Sequence, residues 1–159
     1  MASSYCTVCP DGYFSYAGSE YCTPTPPGYY AKNSTLLPCG ETMYSDWGYT
    51  ECKVCEDGYL CPRGGEIGKH YGCPKGSYCQ AGIQTKCKDG YFGLIERART
   101  EDEGCGICPA GYYCIAGTDN FELHPCPRGY YCPVQTGLPI ECAKGFYNDQ
   151  LFGKTLGDC

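Results

Sequence analysis

The sequence predicts a small, disulfide-rich fold: an elongated tandem array of short β-hairpin and turn modules with little helix. Three observations predict it. Seventeen of the 159 residues are Cys, a density above the roughly 8–10% that marks a disulfide scaffold. Ile, Leu, Val and Phe together number only 22, under the roughly 20% below which a chain struggles to build a core. The cysteines also recur with a fixed period, the signature of a repeat architecture.

The period is about 53 residues. Cys105, Cys108, Cys114, Cys126 and Cys132 each lie 53 positions after Cys52, Cys55, Cys61, Cys73 and Cys79. Cys142 follows Cys87 by 55, and Cys159 follows Cys105 by 54. Three repeats result: a degenerate one over 1–51, then 52–104 and 105–159. The text between cysteines repeats as well. Cys73-Pro74-Lys75-Gly76-Ser77-Tyr78-Cys79 matches Cys126-Pro127-Arg128-Gly129-Tyr130-Tyr131-Cys132.

Inside the period sits a shorter motif, Cys-Pro-x-Gly followed by Tyr or Phe. It starts at Cys9, Cys73, Cys108 and Cys126, with looser copies at Cys55, Cys87 and Cys142. Pro presets φ at position i+1 of a β-turn, and Gly suits the turn's end. The aromatic then leaves in an extended direction, so the motif reads as two-stranded pieces joined by tight turns. The first aromatics (Tyr13, Tyr29, Tyr59, Tyr91, Tyr112, Tyr130, Phe146) are expected to cover the disulfides as small cores. The second ones (Tyr30, Phe92, Tyr113, Tyr131, Tyr147) are the alternative outward-facing set.

Six cysteines per repeat allow 15 connectivities. The degenerate repeat narrows them. It lacks counterparts of Cys61 and Cys79, and paired cysteines are expected to disappear together. This pairs Cys61–Cys79 and Cys114–Cys132. The remainder then pair as Cys9–Cys22, Cys55–Cys73 and Cys108–Cys126, with Cys39–Cys52, Cys87–Cys105 and Cys142–Cys159 crossing repeat boundaries. Sixteen cysteines are used. Cys6 is left, and its phase equals that of Cys52 and Cys105, which pair upstream. Its partner is therefore expected before residue 1 or in another chain, a symmetric Cys6–Cys6 dimer included; a free thiol is the plain alternative.

The Cys-x-x-Cys-Pro-x-Gly-Tyr-Tyr-Cys run at 105–114 and the run at 126–132 resemble ephrin-receptor-like, or GCC-type, cysteine-rich repeats. They are similar also to tumour-necrosis-factor-receptor and growth-factor-receptor modules. Such repeats occur in receptor ectodomains and in extracellular fibrils of algae and protists, mastigoneme-type proteins among them. The resemblance implies an elongated rod of turn modules with nested disulfides and no catalytic residues. It fixes architecture better than function.

The other chemistries are weaker. Cys-x-x-Cys pairs at 6/9, 52/55 and 105/108 are too far apart for one zinc site, and His70 and His124 do not cluster. No βαβ pattern supports a redox Cys-x-x-Cys. Glu101-Asp102-Glu103 is contiguous, where a calcium loop spaces its acids around a Gly. A net charge of −6 opposes nucleic acid as a partner, since phosphate binding needs a basic patch. No apolar run approaches the length of a membrane span.

Covalent modification is better supported. Asn33-Ser34-Thr35 is the one N-x-[ST] sequon, an N-glycosylation acceptor in a secreted chain. Thr23 and Thr25, in the Thr/Pro-rich stretch 22–27, are candidates for O-glycans. Trp47, within the aromatic stretch 44–49, is a candidate contact point. No cofactor is expected beyond covalent glycans.

The expected function is non-enzymatic: a structural subunit of a secreted, glycosylated filament or surface coat, assembling head to tail with itself. Both ends of the chain fall within the repeat phase, and a non-closing heterologous interface grows a fibre. The alternative is a receptor-ectodomain-like rod that presents ligand sites.

Overall fold

The computed structural model describes residues 6–62 and 71–159. The fold is small and disulfide-rich, with eight disulfides, short strand pairs and almost no helix. Among the described residues, strands are two to four residues long and form seven two-stranded sheets. The helical content of the described residues is one turn at Glu101–Gly104 and two 3₁₀ turns, Phe121–Leu123 and Leu156–Asp158.

The repeating element is finer than the cysteine period. Nine consecutive modules begin at lead residues Cys9, Thr25, Cys39, Cys55, Cys73, Cys87, Cys108, Cys126 and Cys142, 14 to 21 residues apart. Three modules make one 53-residue period. One hydrogen bond marks the register. The N–H of each lead residue from Thr25 to Cys142 donates, at 2.8–3.0 Å, to the carbonyl of the residue three positions after the preceding lead. That acceptor has positive φ throughout, from Gly12 (85°) to Gly129 (82°).

The turn differs from the expected one by one position. Tyr13 N–H donates to the Pro10 carbonyl, and Tyr130 N–H to that of Pro127. Pro is thus position i of the turn, and Gly is i+2, where a type II turn requires φ > 0. The third module breaks the rule, with Thr42 in that place at φ 65°. Two modules close on two-residue hairpin turns, Asn33-Ser34 (φ 51° and 60°) and Ala81-Gly82 (φ 48° and 78°). Those signs fit a type I′ turn, whose twist matches the flanking strands.

Strand pairing keeps one register too. The residue four after a lead pairs with the residue just before the next lead: Tyr13↔Pro24, Tyr29↔Pro38, Met43↔Val54, Ser77↔Lys86, Tyr91↔Ile107 and Tyr130↔Glu141.

The disulfides follow two rules. Where the residue six after a lead is Cys, the loop closes within the module: Cys55–Cys61, Cys73–Cys79, Cys108–Cys114 and Cys126–Cys132. Where it is another residue, the lead joins the cysteine near the module's far end: Cys9–Cys22, Cys39–Cys52, Cys87–Cys105 and Cys142–Cys159. The second set agrees with the sequence reading. The first set replaces the expected Cys55–Cys73, Cys61–Cys79, Cys108–Cys126 and Cys114–Cys132. The expectation failed at one equivalence. Backbone bonding matches Cys73 and Cys126 to Thr25, not to Cys22, and matches Cys79 and Cys132 to Ala31. Gly12, Gly58 and Gly111 donate to the carbonyls of Ala31, Cys79 and Cys132 respectively. Paired cysteines are indeed missing together, but the missing pair is the counterpart of Cys73–Cys79. The loops are also consecutive rather than nested.

Contacts cluster the chain into two compact units. The first comprises residues 1–56 and 60–71, the second 57–59 and 72–159. In each unit the buried apolar set is mostly the cystines. Cys9, Cys39, Cys55 and Cys61 are joined by Phe14 and Ala31 in the first unit. Cys73, Cys79, Cys87, Cys105, Cys108, Cys114, Cys126 and Cys132 are joined by Ala98 in the second. The aromatics do not form the expected small cores. Tyr13 and Tyr29 are exposed, and Tyr59, Tyr91, Tyr112 and Tyr130 are half-buried. A module whose interior is a single cystine is too thin to enclose a phenol ring, so the rings lie against its flank.

Candidate functional site

The sequon occupies the tip of a hairpin. Asn33 is exposed at the first left-handed position of the turn between strands Tyr29–Lys32 and Thr35–Pro38. Asn tolerates positive φ better than most residues, so the local fold and the acceptor chemistry ask for the same side chain. Its N–H donates to the Asp11 carboxylate at 3.2 Å, and Ser34 Oγ donates to the Cys9 carbonyl at 3.1 Å. The tip is therefore held from the backbone while the Asn33 side chain stays outside. The same device recurs elsewhere, with Ala81 N–H on Asp57 and Ala116 N–H on Asp89.

The two threonines separate. Thr25 is fully buried, and its hydroxyl donates to the Tyr49 carbonyl at 3.3 Å. A sugar on Thr25 is incompatible with this fold. The Thr/Pro stretch reads as an extended linker, but here Thr25 leads a module and fills a cystine's place. Thr23 lies half-buried in a two-residue strand paired with Phe14. Trp47 is exposed, and its backbone N–H donates to the Asp46 carboxylate at 2.7 Å. Cys6 is exposed and unpaired.

The acidic triplet is helical rather than a ligand loop. Thr100 caps it by accepting from Glu103 N–H, and acidic residues in a first turn favour the helix dipole. Glu103 accepts from Arg99 N–H at 3.1 Å. Glu101 lies 3.0 Å from the Lys88 ammonium, a bond that raises the pKa of Lys88. His124 is half-buried and stacks obliquely on Tyr113 with ring centroids 5.2 Å apart. His70 lies outside the described residues. Among the described residues no group of three or more His, Cys, Asp or Glu is placed to hold a metal, and no helix is long and apolar enough to cross a membrane.

Sequence reasoning missed an aromatic chain in the second unit. Phe92 meets Phe121 at 4.7 Å, Phe121 meets Tyr112 at 5.0 Å, and Tyr112 meets Phe152 at 5.4 Å, all edge to face. Each such pair adds about 0.5–1.5 kcal/mol beyond area burial. The rings come from three modules, so the chain ties modules together where no covalent link does. Phe121 and Phe152 lie outside the turn motif, which is why motif counting passed over them.

Modules also join through a recurring backbone ladder. The carbonyl of a lead residue accepts from a left-handed residue of the next module: Gly48 N–H on Thr25, Arg97 on Cys73, Gly117 on Cys87, Gln135 on Cys108 and Phe152 on Cys126. The N–H six residues after a lead donates to the following position: Ala31 to Tyr49, Cys79 to Ala98, Gly93 to Thr118, Cys114 to Thr136 and Cys132 to Gly153.

No protein-family model matches this chain, and no curated protein matches it. The disulfide density is that of an extracellular or secreted protein, since such bonds persist in oxidising compartments.

Proposed function

We propose that the chain is a structural subunit of an extracellular filament or surface coat, built by head-to-tail association and carrying a glycan on Asn33. It belongs, on this reading, with ephrin-receptor-like repeats and performs no catalysis. One observation carries the proposal: module after module uses the same backbone donors and acceptors toward its neighbour. Such a ladder is quasi-one-dimensional, with stability summed over neighbours rather than drawn from one core. A bonding scheme that extends a chain by one module extends an assembly by one subunit. The exposed sequon at a hairpin tip supports the glycan, because a sugar there meets solvent.

The test is to secrete residues 1–159 from a eukaryotic host, concentrate the material and image it in negative stain. Open-ended fibres, with a mass that falls on enzymatic removal of N-glycans, are the expected result. Isolated particles at every concentration would sink the filament reading, and an unmodified mass would sink the glycan.

A further inference from the structure

The ninth module is bonded on one side only. Its Cys142 N–H donates to Gly129, but Gly145 N–H, the Cys142 and Gly145 carbonyls and Asn148 N–H have no partner among the described residues. The carbonyl equivalent to that of Gly145 is bonded in all eight earlier modules, and the other three groups are bonded in five of them each. Its aromatics are stripped in the same way. Phe146 is 66% and Tyr147 77% exposed, whereas their equivalents Tyr91 and Phe92, or Tyr130 and Tyr131, are half-buried. A Cβ at Gly129 or Gly145 meets nothing, while one at Gly76, Gly90 or Gly111 meets the carbonyl of Gly117, Gln135 or Phe152, two modules on.

The first module shows the converse. Among the described residues, Cys9 N–H, the Ser15 and Ser19 carbonyls and Gly18 N–H have no partner. By register, Gly18 is the equivalent of Gly48, Arg97, Gln135 and Phe152, and has their positive φ, at 81°. Ser19 is the equivalent of Tyr49, Ala98, Thr136 and Gly153. Ser15 stands where Ala31, Ser45 and Asn148 stand; those three are buried, and Ser15 is exposed. Val8, just before the lead Cys9, is 72% exposed.

We infer that the ninth module of one copy receives the first module of a second copy, which takes the place of a tenth. Four bonds complete the ladder: Cys9 N–H to the Gly145 carbonyl, Gly145 N–H to Ser15, Gly18 N–H to Cys142, and Asn148 N–H to Ser19. Thr7 and Val8 add as the strand that Phe146–Tyr147 lacks, with Val8 opposite Phe146 and Thr7 opposite Tyr147. This is strand addition, in which main-chain bonds supply affinity. The carbonyl of Gly18 then seats against Gly129. The two faces differ, so the contact is heterologous and does not close on itself. The inference rests on the filament reading and names the junction that reading needs. In a longer chain the same face would seat a following module, and residues 1–159 alone test whether these two faces fit.

Two variants separate the faces without touching the fold of the single chain. Ser15→Lys places a charge at a position that is exposed in the monomer and buried at the junction. The double variant Phe146→Asp, Tyr147→Asp spoils only the ninth module's face. Sedimentation velocity over a concentration series is the readout. Wild type is expected to grow without limit. Each variant alone is expected to stay monomeric, with association weakened roughly tenfold or more, the scale of one lost buried contact. An equimolar mixture is expected to stop at dimers, since one good face of each kind remains. Wild-type fibres that persist in both variants would overturn this junction and leave the filament reading standing. A wild type that stays monomeric would overturn both.

Discussion

Thr25 and Ala31, six residues apart in sequence, are both fully buried where the fifth and eighth modules carry a cystine. The backbone bonds around them are the same as around those cystines. The fold at this site is therefore held by the ladder, with the sulfur bridge as an addition to it. Thr25→Cys with Ala31→Cys is expected to form a ninth disulfide. Closing so short a loop contributes about 2 kcal/mol in the chain-entropy account. Thiol titration should return the wild-type count for the double variant and one more for either single variant. A double variant with two extra thiols would refute the equivalence.

Thr42 holds the left-handed turn position at φ 65°, where its neighbours use Gly. A β-branched side chain is strained there. Thr42→Gly is expected to stabilise the protein by about 1 kcal/mol, net of the added freedom of the unfolded chain. A thermal melt that is unchanged or lower would count against it.

The disulfide pattern has a direct chemical signature. Trypsin cuts after Lys53 and Arg63, and Cys55–Cys61 lies wholly between them. A non-reducing digest should release residues 54–63 as one peptide with an internal bridge. Recovery of that peptide joined to one containing Cys73 would restore the interleaved pairing instead.

Asp158 accepts from Lys154 N–H at 2.6 Å and Thr155 N–H at 2.9 Å, and these bonds hold its pKa below the ordinary Asp value. A carboxyl depressed in the folded state contributes stability above its unfolded pKa and loses it as pH falls through the folded one. The 3₁₀ turn at Leu156–Asp158 is therefore expected to loosen only in acid, below the usual carboxylate range. Amide shifts of Lys154 and Thr155 followed by NMR should report that midpoint. The same shifts in Asp158→Asn should be flat over that range; a midpoint that survives the substitution would assign it to another group.

Composition and period were enough to read the fold class, because cysteine density and scarce aliphatics leave no alternative to stapled turns. Cys39–Cys52, Cys87–Cys105 and Cys142–Cys159 were legible too, as the links that cross repeat boundaries, whereas Cys9–Cys22 was reached only through its mistaken equivalence to Cys55–Cys73. The shorter four were not, because alignment on cysteines set Cys22 against Cys73. The turn phase carried the correct signal: Thr25-Pro26-Pro27-Gly28-Tyr29-Tyr30 is the motif with Thr in the Cys place. Thr25 was read as a surface acceptor for the same reason. Phe121 and Phe152 stayed hidden because their partners are distant in sequence, and no local pattern announces an edge-to-face pair.

The eight loops follow one another along the chain without overlap. That order has a mechanical meaning. A chain pulled from its two ends can pay out only the residues outside the loops, each worth at most about 3.3–3.6 Å. Roughly half of the contour length stays locked behind sulfur bonds and is released only by reduction. Tension is then borne by the hydrogen-bonded ladder up to a fixed reach, and beyond it by covalent bonds. Force spectroscopy with and without reductant would read the locked half as a step in extension.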